Sequence, residues 1–234
     1  MIDLLRKLLP IAPGTFLDVG ANLGQTLIKV SAIEDSRHYV GFEPNSACVA
    51  YLEQLIRANG LASSHIIPAG LSDQTGIVDL HLRADQNTDM AATIIPEFRG
   101  HGGSLNKRSV VVLGAKDISD RLPDDTSIIK IDVEGAELEV IRTLHPVIMK
   151  TRPHLIVEIL PPHSEGTERS RRQEEIEGLM RGAGYSIFRI EKAADNQLAR
   201  MQPISTIGVH NDMRLTDYLF APRELPQRFL EGGV

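Results

Sequence analysis

Carboxylates and glycines collect in this chain at the points where short apolar runs end. The run from Thr15 to Val19 carries Asp18 and leads into Gly20, Asn22 and Gly24. Glycine lets backbone approach a ligand closely, and asparagine is among the few other residues that tolerate a left-handed conformation. The spacing departs from the dinucleotide fingerprint G-x-G-x-x-G: Asn22 stands at the second glycine and the third falls one residue early. A carboxylate just before such a turn would repel a pyrophosphate, but it suits a ligand bearing an ammonium or sulfonium group. The next run ends at Glu43, whose carboxylate can accept both hydroxyls of an adenosine ribose. An acid at this distance after the loop is common to NAD and S-adenosylmethionine sites, so Glu43 alone does not choose between them.

Further along, Asp73 offers either an acceptor for an adenine amino group or a tight turn closed by Gly76. The stretch IIKIDVEGAELEV is more informative. Period-two alternation places Ile129, Ile131 and Val133 on one face and Lys130, Asp132 and Glu134 on the other. Three ionisable groups on one side of a central strand are costly unless paired or functional. Asp132 and Glu134 fall at the carboxyl end, while Lys130 sits deeper, where it can neutralise Asp132. The following run ends at Glu158, and His163 comes shortly after it on the same rim.

These groups must be positioned by alternating βα units, because in an open parallel sheet ligands bind outside the carboxyl ends of the strands. The patterning predicts strands over 15–19, 38–42, 65–69, 110–113, 127–133, 154–160, 185–190 and 204–209. It predicts helices after the glycine loop to about Ile33, from a cap at Ser46 to Asn59, from Ala136 to about Leu144, and over 168–181. Residues 76–82 alternate as a hairpin partner to the third strand. No period survives between Arg83 and Ser109, and that segment is expected to be a substrate or lid loop. The chain reads as one domain over 1–234. An N-terminal helix occupies 1–12, the cofactor-binding half with the active-site strands 13–160, and the rest of the sheet 161–234. The helix at 1–12 aligns Ile2, Leu5, Leu8 and Leu9, and could pack on the domain, cover the cofactor, meet a second subunit or touch a membrane.

Composition narrows the class. With 42% apolar and 24% charged residues among 234, a packed core is expected rather than disorder. One cysteine excludes an internal disulfide and a multi-cysteine zinc cage. The net charge of −6, the absence of Trp and the scarcity of Phe and Tyr disfavour nucleic acid as a partner. No apolar run reaches the roughly 20 residues of a membrane span, and MIDLLRKLLP lacks the uninterrupted core of a signal peptide. A cytoplasmic location is expected.

The strings FLDVGANLGQT, YVGFEPN, GLSD, IIKIDVEGAELEVIRTL and PHLIVEIL, in this order from about Thr15 to Leu160, resemble the FkbM-type methyltransferases. The resemblance implies an α/β, Rossmann-like class I methyltransferase fold: a seven-stranded, mostly parallel sheet with an antiparallel last strand and helices on both faces. It implies S-adenosylmethionine as cofactor, contacted by Asp18, Gly20, Asn22, Gly24, Glu43 and Asp73, with Asp132 and Glu134 near the methyl group. It also implies O-methylation of a sugar, glycolipid or natural-product hydroxyl. The chain departs from the family around Ala115–Ile118 and over Arg83–Ser109, regions that would shape the acceptor pocket.

An alcohol is a poor nucleophile, so methyl transfer to it gains from a base. Asp132 is the first candidate by its constrained position, with Glu158 beside it. His163 is the runner-up because imidazole titrates near neutral pH, and His101 is in reach if the glycine-rich loop folds over. Asp132, Glu134, Glu158 and His163 could also hold a divalent metal, though nothing in their spacing requires one. A nicotinamide-dependent oxidoreductase and a non-catalytic S-adenosylmethionine-binding domain are the alternatives.

Overall fold

The computed structural model describes residues 1–83, 87–95, 105–162, 164–193 and 197–222. The chain begins with α1 (Ile2–Leu8), β1 (Thr15–Val19), α2 (Gln25–Ile33), β2 (Tyr39–Phe42), α3 (Ser46–Asn59) and β3 (Ser64–Ile67). Then come β4 (Gly70–Leu71), β5 (Gly76–Arg83), β6 (Leu105–Leu113), α4 (Ala115–Ile118) and β7 (Thr126–Ile131). The remainder is α5 (Glu137–Thr151), β8 (His154–Glu158), α6 (Glu168–Gly182), β9 (Tyr185–Lys192), β10 (Leu198–Ile204) and β11 (Asp217–Pro222).

The main sheet has the order β10-β9-β11-β8-β7-β1-β2-β3. The strands from β8 to β3 run parallel, and β11 inserts antiparallel between β8 and β9. This is the expected Rossmann-like sheet, with β10 added as an eighth strand on the edge beyond β9. Both faces are covered, which is why β1, β2 and β11 are buried along their whole length. Alternate residues divide between two cores. Leu17, Ile129, Ile131, Leu155, Val157 and Phe220 pack with buried residues of α5 and α6, whereas Phe16, Ile128, Ile156, Phe188 and Leu219 pack with those of α1 and α2. No helix among the described residues is long and apolar enough to cross a membrane.

Several boundaries differ from the sequence expectation. The segment 76–82 does form a strand, but β5 pairs with β6 in a separate three-stranded sheet rather than with β3. β3 itself lies parallel beside β2 at the edge of the main sheet. β6 starts at Leu105, inside the stretch that showed no period. Asn106, Lys107 and Ser109 are exposed, so the first half of this strand presents no apolar alternation. α5 runs past Leu144 and through Pro146 to Thr151, because Val147 and Ile148 still fall on its buried face. Asn45, not Ser46, caps α3, accepting from the Ala47 N–H at 3.1 Å.

The strand expected over 204–209 is largely a loop, and the sheet's last strand is β11. Side chains satisfy that loop's backbone: the Ile207 N–H donates to Glu177 Oε1 at 2.7 Å and its carbonyl accepts from Arg189. Gln173 donates to the Gly208 carbonyl at 3.0 Å. A segment served in this way needs no strand partner.

Candidate active site

The carboxyl ends of β1, β2, β7 and β8, the end of β9 and the start of β11 surround a cavity of about 270 Å³. That is close to the lower bound of small-molecule sites, roughly 300 Å³. Gly20, Asn22, Glu43, Asp132, Glu134 and Glu158 all line it, although they come from four separate βα turns.

Gly20 has φ +88°, and a Cβ there would stand 2.0 Å from the Asp132 carbonyl oxygen. The Asp132 N–H in turn donates to the Val19 carbonyl at 3.0 Å. A glycine is therefore what allows the end of β1 to close against the turn after β7, carrying Asp132 up to the loop. Asn22 is left-handed at φ 45°, and its side chain accepts from the Leu23 N–H at 2.8 Å. Every N–H from Gly20 to Gly24 is used inside the protein. Gly20 and Ala21 donate to the Phe42 carbonyl, Asn22 to Glu43, Leu23 to Asn22 Oδ1, and Gly24 to the Ala21 carbonyl. A pyrophosphate loop works the other way, aiming its N–H groups at the ligand.

Glu43 is nearly buried and held by two backbone donors, Asn22 N–H and Asn45 N–H, each at 2.8 Å. Burial pushes its carboxyl up to about 7, and those hydrogen bonds only partly oppose the rise.

A row of ionisable groups crosses the sheet on the face covered by α1 and α2. Tyr39 Oη donates to Asp18 Oδ2, Lys130 Nζ lies 3.8 Å from Asp18 Oδ1, and the same ammonium donates to Asp132 Oδ2 at 2.9 Å. Burial raises the Asp18 carboxyl, and its Oδ1 has no hydrogen bond to any described residue. Burial works to raise Asp132 as well, but Lys130 and hydrogen bonds from Glu158 and Lys130 hold it below the ordinary carboxylate range. Burial and then the Asp132 charge push Glu158 up to about 8. The two carboxyls thus titrate as a coupled pair that keeps one proton between them near neutral pH. Thr216 Oγ1 also donates to Glu158 at 3.2 Å.

Of the remaining expected site residues, Asp18 lies beneath the cavity rather than on its wall. Gly24 packs against Leu52 and Leu55 of α3. Asp73 stands outside the cavity, half-exposed and ion-paired with Arg142 at 3.2 Å. His163 and His101 lie outside the described residues. Among those described, no group of three or more His, Cys, Asp or Glu side chains could hold a metal ion.

Sequence reasoning missed Lys29, Asn45, Asp89, Lys192 and Asp217, which also line the cavity. For Lys29 the available signal was its position one turn after Gln25 on α2. Lys192 falls just past the strand expected over 185–190, and Asp217 had no signal because the last strand was expected over 204–209. It also missed a wall made by Met90, Ala92 and Ile94. Thr93 fastens that wall, bridging to His81 and donating from Oγ1 to the Glu134 carbonyl at 2.7 Å. Part of the segment expected to be a loop is therefore a cavity wall.

The turn after β7 rests on a buried acid with a measurable consequence. Glu137 Oε1 accepts from the Gly135 N–H at 2.8 Å, and burial pushes the carboxyl from its ordinary 4.5 up to about 7. Between those two values the folded protein keeps a proton that the unfolded chain has released, so stability falls as pH rises. Glu137 alone is expected to account for about 3 kcal/mol of that loss. Chemical denaturation at pH 5 and pH 8 should show a smaller decline in Glu137→Gln than in the parent; equal declines would overturn the assignment.

A parallel sheet from β8 to β3 with β11 inserted antiparallel between β8 and β9, and carboxylates on the β2 and β7 turns, defines the class I Rossmann-like methyltransferase architecture. The model of the methyltransferase FkbM domain matches residues 18–187, and the chain belongs to that S-adenosylmethionine-dependent family. Among solved structures, a methyltransferase FkbM from Methylobacillus flagellatus KT is similar with a TM-score of 0.54 at 16% identity, covering 88% of this chain and 43% of that one. WbdD in complex with a kinase inhibitor gives a TM-score of 0.50 at 11% identity, over 94% of this chain and 40% of that one. The chain spans less than half the length of either structure. No curated protein matches it.

Proposed function

We propose that this chain transfers a methyl group from S-adenosylmethionine to a hydroxyl oxygen of a small-molecule or glycan acceptor, a sugar or glycolipid among them. The observation that carries the transfer reading is the Asp132–Glu158 pair, placed in the same cavity as Glu43. The residues fit the cofactor. Six acidic side chains line the cavity, and two of its three lysines are ion-paired within it, a lining better suited to a cation than to a pyrophosphate. The inward-turned N–H groups from Gly20 to Gly24 point the same way. Glu43 would hold the ribose hydroxyls, and Asn22 and Gly20 would border the amino-acid end.

Bound there, the cofactor supplies an electrophilic methyl carbon on a sulfonium. The protein's part is to orient the acceptor and take its proton. Lys130 favours ionisation of the Asp132–Glu158 pair, and the pair receives the hydroxyl proton once the proton it holds near neutral pH has left. A carboxyl raised to about 8 is well matched to that task.

Calorimetric titration with S-adenosylmethionine and with NAD tests the cofactor. Saturable binding of the first and none of the second is expected, and the reverse would return the chain to the oxidoreductase class. Release of S-adenosylhomocysteine with a panel of glycosides then tests the acceptor. Binding without transfer to any hydroxyl would leave the non-catalytic reading standing.

A further inference from the structure

One lysine in the cavity serves neither the ribose end nor the carboxylate pair. Lys29 follows Gln25 by one turn of α2, and Gln25, Thr26 and Lys29 all face the cavity. Two other lysines line it, and both are committed to carboxylates: Lys130 to Asp132 at 2.9 Å, and Lys192 to Asp217. Lys29 has no ion pair or hydrogen bond to any described residue. Its surroundings are also unfavourable to it. Burial, then the like charges of Lys130 and Lys192, pull its ammonium below the ordinary range, outweighing the opposite pull of the more distant Asp18 and Asp132 carboxylates, neither of which is ion-paired with it. An ammonium half-buried at a cavity wall beside two neutralised cations is a position that an incoming anion would relieve.

We infer that Lys29 is an anion-recognition residue, binding a carboxylate of the ligand at the α2 end of the cavity. The inference rests on the reading that the cavity holds S-adenosylmethionine. That cofactor carries a cationic centre and a single carboxylate, which matches an acid-rich middle with one unpaired lysine at its border. A carboxylate on an acidic acceptor has the same chemistry, and experiment separates the two sources.

The test compares the parent, Lys29→Met and Lys29→Arg by calorimetry. The probes are S-adenosylhomocysteine, 5′-methylthioadenosine, which lacks the amino-acid end, and D-glucuronate added with and without saturating S-adenosylhomocysteine. If the cofactor is the source, Lys29→Met weakens S-adenosylhomocysteine roughly tenfold to hundredfold, leaves methylthioadenosine unchanged, and Lys29→Arg restores most of the loss. If the acceptor is the source, S-adenosylhomocysteine is unaffected, while glucuronate binding to the parent disappears in Lys29→Met. Equal weakening of both nucleosides would reveal distortion of the pocket and overturn the inference. So would unchanged binding of every probe. Failure of the parent to bind either nucleoside would instead defeat the cofactor reading, with the glucuronate arm still deciding Lys29.

Discussion

Asp132→Asn is expected to lower kcat for methyl transfer by roughly 10²–10⁴-fold while changing cofactor affinity far less. The substitution keeps the shape of the side chain and removes the charge that Lys130 neutralises at 2.9 Å. It also removes one of the influences that raise Glu158 to about 8, the neighbouring Asp132 carboxylate. Two readouts follow. In the parent, kcat/KM should rise with pH through a limb near 8, because the pair can accept the acceptor's proton only after releasing its own. In Asp132→Asn the residual activity should titrate at lower pH, since Glu158 no longer faces a like charge. Glu158→Gln should abolish the limb. An unchanged kcat in Asp132→Asn would remove the pair from the mechanism, and a limb that does not move would remove the coupling.

The second large effect is on binding. Glu43→Ala should weaken S-adenosylmethionine by roughly 100-fold or more, because the carboxylate serves two sets of donors. It accepts from the Asn22 and Asn45 N–H groups, each at 2.8 Å, which keep the glycine loop and the start of α3 in place. It also faces the cavity, where the ribose hydroxyls would donate. The charge matters separately from the shape. With the free carboxyl at about 7, a ligand that requires the ionised form must displace a proton below that pH. Affinity should therefore drop by about tenfold for each unit below 7 and level off above it. Glu43→Gln should bind more weakly at pH 8 and show no such slope. A parent whose affinity is flat from pH 5 to 8 would exclude Glu43 as the hydroxyl acceptor.

Most of the elements that carry these residues were legible. β1 and β2 read as short apolar runs, and α3 was bounded by Asn59 and Gly60, with Gly60 in the left-handed conformation at φ 64° that ends helices. The strand holding Lys130 showed its alternation directly, and that alternation put Lys130 and Asp132 close enough to pair. The polar first half of β6, before the strand expected at 110–113, and the continuation of α5 through Pro146 were hidden because local propensity there opposes the tertiary outcome. In one case exposed polar residues are held by pairing across a small sheet; in the other a proline is tolerated for the sake of Val147 and Ile148 in the core.

By itself the sequence determined the class of sheet, the Gly20–Gly24 turn, and the identity of the acids at the ends of β1, β2, β7 and β8, because these follow from local periodicity and from which residue types can sit at a turn. Only the tertiary structure decided that Asp132 and Glu158 share one proton, that Asp18 lies under the wall, and that Asp73 turns outward to Arg142. It alone brought Lys29, Lys192 and Asp217 to the same cavity, from segments separated by up to 188 positions of a 234-residue chain. The difference is physical. Periodicity records which face of an element is buried, whereas a pKa, an ion pair or a cavity wall depends on which distant strand lies alongside, and that is settled by packing.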